Sequence, residues 1–257
     1  MTQAYIKTDE EIVHLKESGK HLARVLEAVI ALVKPGVSTQ DLDSVAEQLI
    51  RASGGIPVFK GYGHGATKFP ASLCTSINAE VVHGVPRIEK IVREGDLLKL
   101  DIGMRLHGMI TDMARTILVG RVSPEIQKLV LVTEESLRLG IQELRPGAPI
   151  SRYASAVQRY VENNGFSVVR DLVGHGVGRE LHEEPQIPNY VSRTMYDFII
   201  EPGMTLALEP MVNQGSFGVK IAPDGWTFVT TDGTWSAHFE DTVVITKQGA
   251  EVVTRIH

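Results

Sequence analysis

Glu94-Gly95-Asp96-Leu97-Leu98-Lys99-Leu100-Asp101 has an echo later in the chain, Pro202-Gly203-Met204-Thr205-Leu206-Ala207-Leu208-Glu209, and this pair decides the fold. Each stretch leaves a turn-forming Gly, runs through apolar residues and ends on a carboxylate, so Asp101 and Glu209 stand six residues after equivalent glycines. Upstream of both, the same plan recurs. Pro35-Gly36 is matched by Pro146-Gly147 at an offset of 111, and that shift also pairs Leu42 with Tyr153, Val45 with Ala156, Leu49 with Tyr160, Ile50 with Val161 and Gly54 with Gly165. Two separate segments at nearly one offset predict an internal duplication of a helix-helix-strands unit. Two such units can join their sheets about a pseudo-two-fold axis with the helices on the outer face. The expectation is therefore an α/β fold in one domain over 1–257, with halves of about 1–120 and 121–257. Asp101 and Glu209 then approach the centre from opposite halves.

The helices carry their own punctuation. Thr8-Asp9-Glu10-Glu11 reads as a capping box, followed by Ile12, Leu15, Leu22, Val25, Leu26, Val29 and Ile30 at helical spacing and a stop at Pro35-Gly36. A second helix follows Ser38, with Leu42, Val45, Ala46, Leu49 and Ile50 on one stripe before Gly54-Gly55. A third starts at Ser123-Pro124 and is expected to reach about Leu144, and a fourth runs from Ser151 to Asn164.

The 257 residues are 43% hydrophobic and 22% charged, with mean hydropathy near zero. That composition excludes disorder, collagen-like repeats and membrane spans. A net charge of −5, from 26 Lys+Arg against 31 Asp+Glu, gives no field that would draw the chain onto nucleic acid or anionic lipid. The lone Cys74 cannot form an internal disulfide, and Met1–Glu11 holds no apolar signal segment. Both point to the cytoplasm.

Strand alternation over Leu97–Met104 puts Leu98, Leu100 and Ile102 on one face and Lys99, Asp101 and Gly103 on the other. Arg105–Gly108 can turn, and Met109–Val119 returns with Asp112 among Ile110, Met113, Ile117 and Leu118. For either aspartate alone, a salt bridge to Arg115 or Lys99 is the simpler reading. Gly174-His175-Gly176-Val177-Gly178 reads as a flexible, glycine-flanked loop histidine, His182 follows seven residues later, and Glu240 opens the strand Asp241–Thr246. Together the picture changes, because Asp101, Asp112, Glu209 and Glu240 bring four carboxylates towards one sheet centre. At about 4 Å and an effective dielectric of about 20, each like-charged pair repels by roughly 4 kcal/mol. Two divalent cations balance four such charges, and His175 adds the imidazole usual in transition-metal sites. Mixed oxygen and nitrogen donors suit Mn, Fe, Co or Zn without choosing among them.

These residues carry a resemblance. Ser76-Ile77-Asn78, Val82-His83-Gly84-Val85-Pro86, Leu100-Asp101-Ile102-Gly103, Thr111-Asp112, Gly174-His175-Gly176-Val177-Gly178, Leu181-His182-Glu183-Glu184-Pro185, Leu208-Glu209-Pro210-Met211 and Ala237-His238-Phe239-Glu240 occur in order. The chain resembles the type I methionine aminopeptidases over nearly its whole length. That resemblance implies the duplicated pita-bread fold and a single catalytic domain. It also implies a dinuclear centre held by Asp101, Asp112, His175, Glu209 and Glu240, with Asp112 and Glu240 bridging the ions. The implied reaction removes the initiator Met from nascent chains whose second residue is small, through a hydroxide shared by the metals. Glu209 is then both ligand and proton shuttle, His182 stabilises the oxyanion, and His83 positions the scissile amide or carries a proton. Phe69, Cys74 and Trp226 match positions of the apolar Met pocket, although core packing explains Trp226 equally well. Asn78 and Ser236 match residues near a monovalent cation. The implied partners are nascent N-termini, with contact at the ribosome exit, no membrane and no specific nucleic acid; a duplicated chain closes its symmetry as a monomer.

Departures from the pattern stand beside the matches. Gly61–Lys68 looks longer than the usual loop, Leu181 replaces an aromatic found in some members, and Asp241 replaces the His that commonly follows the equivalent of Glu240. As a neighbour of a ligand, Asp241 is expected to tune metal affinity. His14, His21, His107 and His257 have no motif around them and are expected in solvent. Two other readings stay open. One is a relative of the proline-specific peptidases or creatinase, which share the fold, and the other is a non-catalytic pita-bread protein that binds ribosomes or RNA.

Overall fold

The structure is a computed structural model that describes residues 6–63 and 68–256. Part of the Gly61–Lys68 loop, residues 1–5 and His257 therefore lie outside the described residues.

Among the described residues there are four helices, and three of them start at the caps that the sequence predicts. In α1 (Asp9–Ile30) the Glu11 N–H donates to Thr8 Oγ1 at 3.2 Å while the Thr8 N–H donates to Glu11 Oε2 at 2.7 Å, the reciprocal box that satisfies two orphan donors. Ser38 caps α2 (Thr39–Ala52) by accepting from the Asp41 N–H at 3.0 Å, and Ser123 caps α3 (Pro124–Gln142), which begins on a proline whose missing N–H costs nothing there. α3 stops two residues short of Leu144, because Pro146 disfavours helical geometry at Arg145. α4 spans Ser151–Asn163.

The strands in chain order are β1 (Ile56–Pro57), β2 (Leu73–Ile77), β3 (Glu80–Val82), β4 (Leu97–Leu106) and β5 (Met109–Leu118). After α4 come β6 (Ser167–Val168), β7 (Gly174–Gly176), β8 (Glu183–Ile187), β9 (Thr205–Leu208) and β10 (Met211–Asn213). The last are β11 (Val219–Ile221), β12 (Phe228–Thr230), β13 (Ser236–His238), β14 (Glu240–Thr246) and β15 (Gly249–Val252). Nine of these build the main sheet in the order β1-β4-β5-β14-β9-β7-β8, with β2 on β4 and β15 on β14, every pair antiparallel. β4 and β5 pair from Leu97↔Leu118 to Leu106↔Met109. The connection is only His107-Gly108, both at positive φ (50° and 80°), the geometry of a tight hairpin turn; the strands run through Arg105, further than the sequence reading placed them.

Leu98, Leu100 and Ile102 face α1 and α2 in one core cluster, and Leu206, Leu208, Val243 and Ile245 face α3 and α4 in a second. This is the pita-bread arrangement: two helix pairs behind one curled sheet, related by a pseudo-two-fold axis, with the opposite face left for polar residues. The two halves meet at β5 and β14. Their ladder there has only two register pairs, Glu240↔Ala114 and Asp241↔Met113. Among the described residues no helix is long and apolar enough to cross a membrane. His14 and His21 are partly exposed and His107 is exposed, as expected.

Candidate metal centre

Asp101 and Asp112 project from β4 and β5 at the seam of the halves. Asp101 pairs with Ala114, Ala114 pairs with Glu240, and opposite residues of an antiparallel ladder share a face, so both carboxylates lie over the small Ala114 side chain. Asp112 precedes Ala114 by two and joins the same face. From the other half, His175 pairs with Ala207, two residues before Glu209. Donor atoms of Asp112, His175 and Glu240 lie within 4.8 Å of one another. Glu209 Oε1 stands 3.6 Å from His175 Nε2.

His175 sits in strand β7 and not in a flexible loop, which corrects the sequence reading. Its flanking glycines are there for space: a Cβ on Gly174 would lie 2.4 Å from the Ala207 carbonyl oxygen, and one on Gly176 2.4 Å from that of Glu184. Two neighbouring strands press on the backbone and hold the imidazole still.

Neither aspartate has the ion pair that would make it structural. Arg115 turns to the other face of the sheet and pairs with Asp241 at 2.7 Å, and Lys99 Nζ donates to the Asn78 carbonyl at 2.8 Å. Asp101 Oδ1, Asp112 Oδ1 and Glu240 Oε1 are buried without a hydrogen-bond partner among the described residues. Burial, reinforced by neighbouring carboxylates, pushes the Asp101 carboxyl up to about 7 and those of Asp112 and Glu240 well above their usual range. Burial also raises Glu209 to about 8 and lowers His175 to about 3. Orphaned carboxylate oxygens facing a neutral imidazole make a donor set that fits a divalent cation and is costly without one.

Beside this cluster is a cavity of about 60 Å³. Phe69, Cys74 and Trp226 all line it, as do His83 and His182, so the candidate ligands, the two histidines and the Met-pocket residues converge on one place. Phe69 and Trp226 meet edge to face with ring centroids 5.3 Å apart, which makes Trp226 a wall of the cavity. The His182 ring stands 4.4 Å from that of His175 and its Nδ1 is 2.5 Å from the Tyr62 hydroxyl. His83 holds a positive φ of 56° at the end of β3, and its imidazole is lowered to about 4, chiefly by desolvation. Leu181 lines the same cavity.

Three residues escaped the sequence reading. Phe59 and Tyr62 lie on an irregular segment without periodicity, and only the fold brings them to the cavity. His238 was within reach, since it precedes Glu240 by two. It is 1% exposed, has no partner for either nitrogen among the described residues, and lies 3.6 Å from Glu209 Oε2. The pair expected near a monovalent cation is spent inside the protein. The Asn78 carbonyl accepts from Lys99 and from the Ser236 N–H, its side chain bonds Asp96 and Leu97, and Ser236 Oγ donates to the Val212 carbonyl. Asp241 points away from the centre and accepts from Arg115 and Arg255 on the other face of the sheet.

With the geometry in view, the chain can be set beside known proteins. The profile of metallopeptidase family M24 matches residues 13–247. Methionine aminopeptidase 1 of Bacillus subtilis is 47% identical over 250 residues, covering 97% of this chain and 98% of that one. The crystal structure of the methionine aminopeptidase from Thermotoga maritima superposes with a TM-score of 0.93 at 42% identity, covering 98% and 99% of the two chains. The Xaa-Pro dipeptidase from Bacillus anthracis agrees less well, with a TM-score of 0.78 at 25% identity, and is matched over only 62% of its length. Identity of this order, sustained from end to end and joined to the same fold, shows that the chain belongs to the bacterial type I-like methionine aminopeptidases of metallopeptidase family M24.

Proposed function

We propose that the chain removes the initiator Met from nascent proteins whose second residue is small. Asp101, Asp112, His175, Glu209 and Glu240 would hold two divalent ions of Co, Mn, Fe or Zn. The observation that carries this reading is the set of buried, unpartnered carboxylate oxygens opening onto an apolar cavity. Divalent ions bound there supply Lewis-acid polarisation of the scissile carbonyl and acidification of water.

The remaining chemistry belongs to the side chains. Phe69, Cys74, Trp226 and Leu181 give the thioether of Met an apolar, polarisable seat. The Tyr62 hydroxyl on His182 Nδ1 leaves Nε2 free, and from there the imidazole donates to the oxyanion of the tetrahedral intermediate. Glu209, with Oε1 3.6 Å from His175 Nε2 at the edge of the cavity, would take the proton that the attacking water loses and return it to the departing amine. His83, uncharged near neutral pH, bonds the scissile amide. The catalytic unit spans both halves, about 1–120 and 121–257, and acts as a cytoplasmic monomer on N-termini emerging at the ribosome, without a membrane or nucleic-acid partner.

The test is Met release from Met-Ala-Ser beside cleavage of Ala-Pro-Ala, with chelated protein restored by Mn, Fe, Co or Zn in turn. Metal-dependent cleavage of the first peptide alone is expected. Cleavage of the second alone would move the chain towards the proline-specific peptidases, and no cleavage with any metal would favour a binding protein. Equal activity on Met-peptides with a bulky second residue would remove the size rule.

A further inference from the structure

The seam between β5 and β14 is a short ladder of two rungs, and two of the candidate ligands, Asp112 and Glu240, stand on it. After the two pairs Glu240↔Ala114 and Asp241↔Met113, the next rung would join Thr242 to Asp112. The strands part there, and the Thr242 hydroxyl fills the gap, accepting from the Asp112 N–H at 2.9 Å and donating to the Asp112 carbonyl at 2.7 Å. The Thr242 N–H, released from the ladder, donates to Thr254 Oγ1 at 3.1 Å.

Thr254 and Arg255 follow β15 and cross the reverse side of this seam. Thr254 Oγ1 donates to Asp241 Oδ1 at 3.0 Å, and Arg255 donates to Asp241 Oδ2 from Nε at 3.1 Å and Nη2 at 2.6 Å. Arg115 completes the knot: Nη1 donates to the Ala114 and Glu240 carbonyls at 2.9 and 2.6 Å, and Nη2 to Asp241 Oδ1 at 2.7 Å and the Thr254 carbonyl at 3.3 Å. Behind it lies a cavity of about 640 Å³ lined by residues of α1, α3 and β5, among them Arg115, Asp241, Thr254 and Arg255. The segment enters the knot directly under α1, where a Cβ on Gly19 would stand 2.3 Å from the Val253 carbonyl oxygen.

We propose that Arg115, Asp241, Thr254 and Arg255 are positioning residues that hold the backbones of Asp112 and Glu240 in register and so set the affinity for divalent cations. Asp241 makes its hydrogen bonds to Arg115, Thr254 and Arg255 on the face opposite the candidate ligands, and its effect runs through the peptide groups on which the two carboxylates stand. This inference rests on the assignment of Asp112 and Glu240 as ligands. Outer partners of metal ligands typically change affinity by about 10- to 100-fold when removed.

The experiment measures Mn²⁺ dissociation constants by electron paramagnetic resonance on chelated, purified protein, with the unfolding temperature of the metal-free form recorded for each variant. Arg255→Ala is the first variant, because this side chain is 38% exposed and Asp241 keeps Arg115. Thr254→Val removes one hydroxyl at nearly constant shape. Each is expected to weaken Mn²⁺ binding about 10-fold while remaining folded, Arg255→Lys to recover part of the loss, and Arg138→Ala, whose partner is Glu135 on α3, to leave binding unchanged. Wild-type affinity in folded Arg255→Ala and Thr254→Val would overturn the proposal even if their unfolding temperatures fall. Wild-type protein that binds no Mn²⁺ would instead sink the metal-centre reading, and this inference with it.

Discussion

The β4–β5 hairpin and the β5–β14 seam share a strand and differ in almost everything else. The hairpin is zipped from Leu97↔Leu118 to Leu106↔Met109, closes through a two-residue turn and buries Leu98, Leu100 and Ile102 against two helices. The seam has two rungs, a hydroxyl in place of the third, an ion-paired knot behind it and orphaned carboxylates in front. Fold stability and function are thus divided along one strand. The apolar face of β5 holds the half together, and its polar face spends part of that stability on Asp112.

Four substitutions or conditions test that division. Glu240→Ala should abolish both tight divalent binding and peptide cleavage, while the metal-free protein unfolds at the same temperature as wild type or higher, since a buried like charge is gone; calorimetry beside a Mn²⁺ titration reads both. Retained activity would break the comparison at its centre. His182→Ala should lower kcat by about 10²–10³ with metal content intact, the effect of losing one oxyanion donor. Metal loss instead would make His182 a ligand. Leu100→Ala gives the opposite pattern, a loss of about 2–5 kcal/mol in denaturant unfolding with activity per folded molecule preserved.

The remaining test is in pH. Glu209 at about 8 and Asp101 at about 7 sit above their unfolded values of 4.5 and 3.8, so the folded state holds protons that the unfolded chain releases. Their contribution is fully present below pH about 4 and is lost as pH rises through about 7 to 8. Chelated protein should therefore lose thermal stability between pH 5 and 8, and saturating Mn²⁺ should flatten that slope. A metal-free protein that gains stability over this range would show the carboxylates to be compensated in some other way.

Legibility in the sequence followed the range of the interactions. Caps such as Thr8 and Glu11 act over three residues, and alternation over Leu98, Leu100 and Ile102 is a property of the strand itself; both could be read directly. The ligand set was legible because each carboxylate ends or interrupts an apolar strand, and the resemblance then joined the pieces. His175 was placed in a loop because its glycines look like local flexibility, whereas they answer to Ala207 and Glu184, distant in sequence. Asp241 is expected to tune metal affinity because it adjoins Glu240; strict alternation sends the two side chains to opposite faces, so adjacency pointed to the neighbour but not to the backbone route proposed for it. Tyr62 had no pattern around it at all, and its bond to His182 spans 120 residues.

The narrow seam has a consequence for how the polypeptide can be divided. Asp101 and Asp112 come from the first half, while His175, Glu209 and Glu240 come from the second, and the backbone joins them through the two rungs of the seam and the short β3–β12 ladder. Fragments cut in the link at Gly120–Ser123 would each keep one helix pair and its own hydrophobic cluster. Their recombination would then tighten with free divalent ion, because the ion contributes binding energy only when both pieces are present. Such a split protein would be a two-component reporter of metal availability, with assembly of its parts as the output.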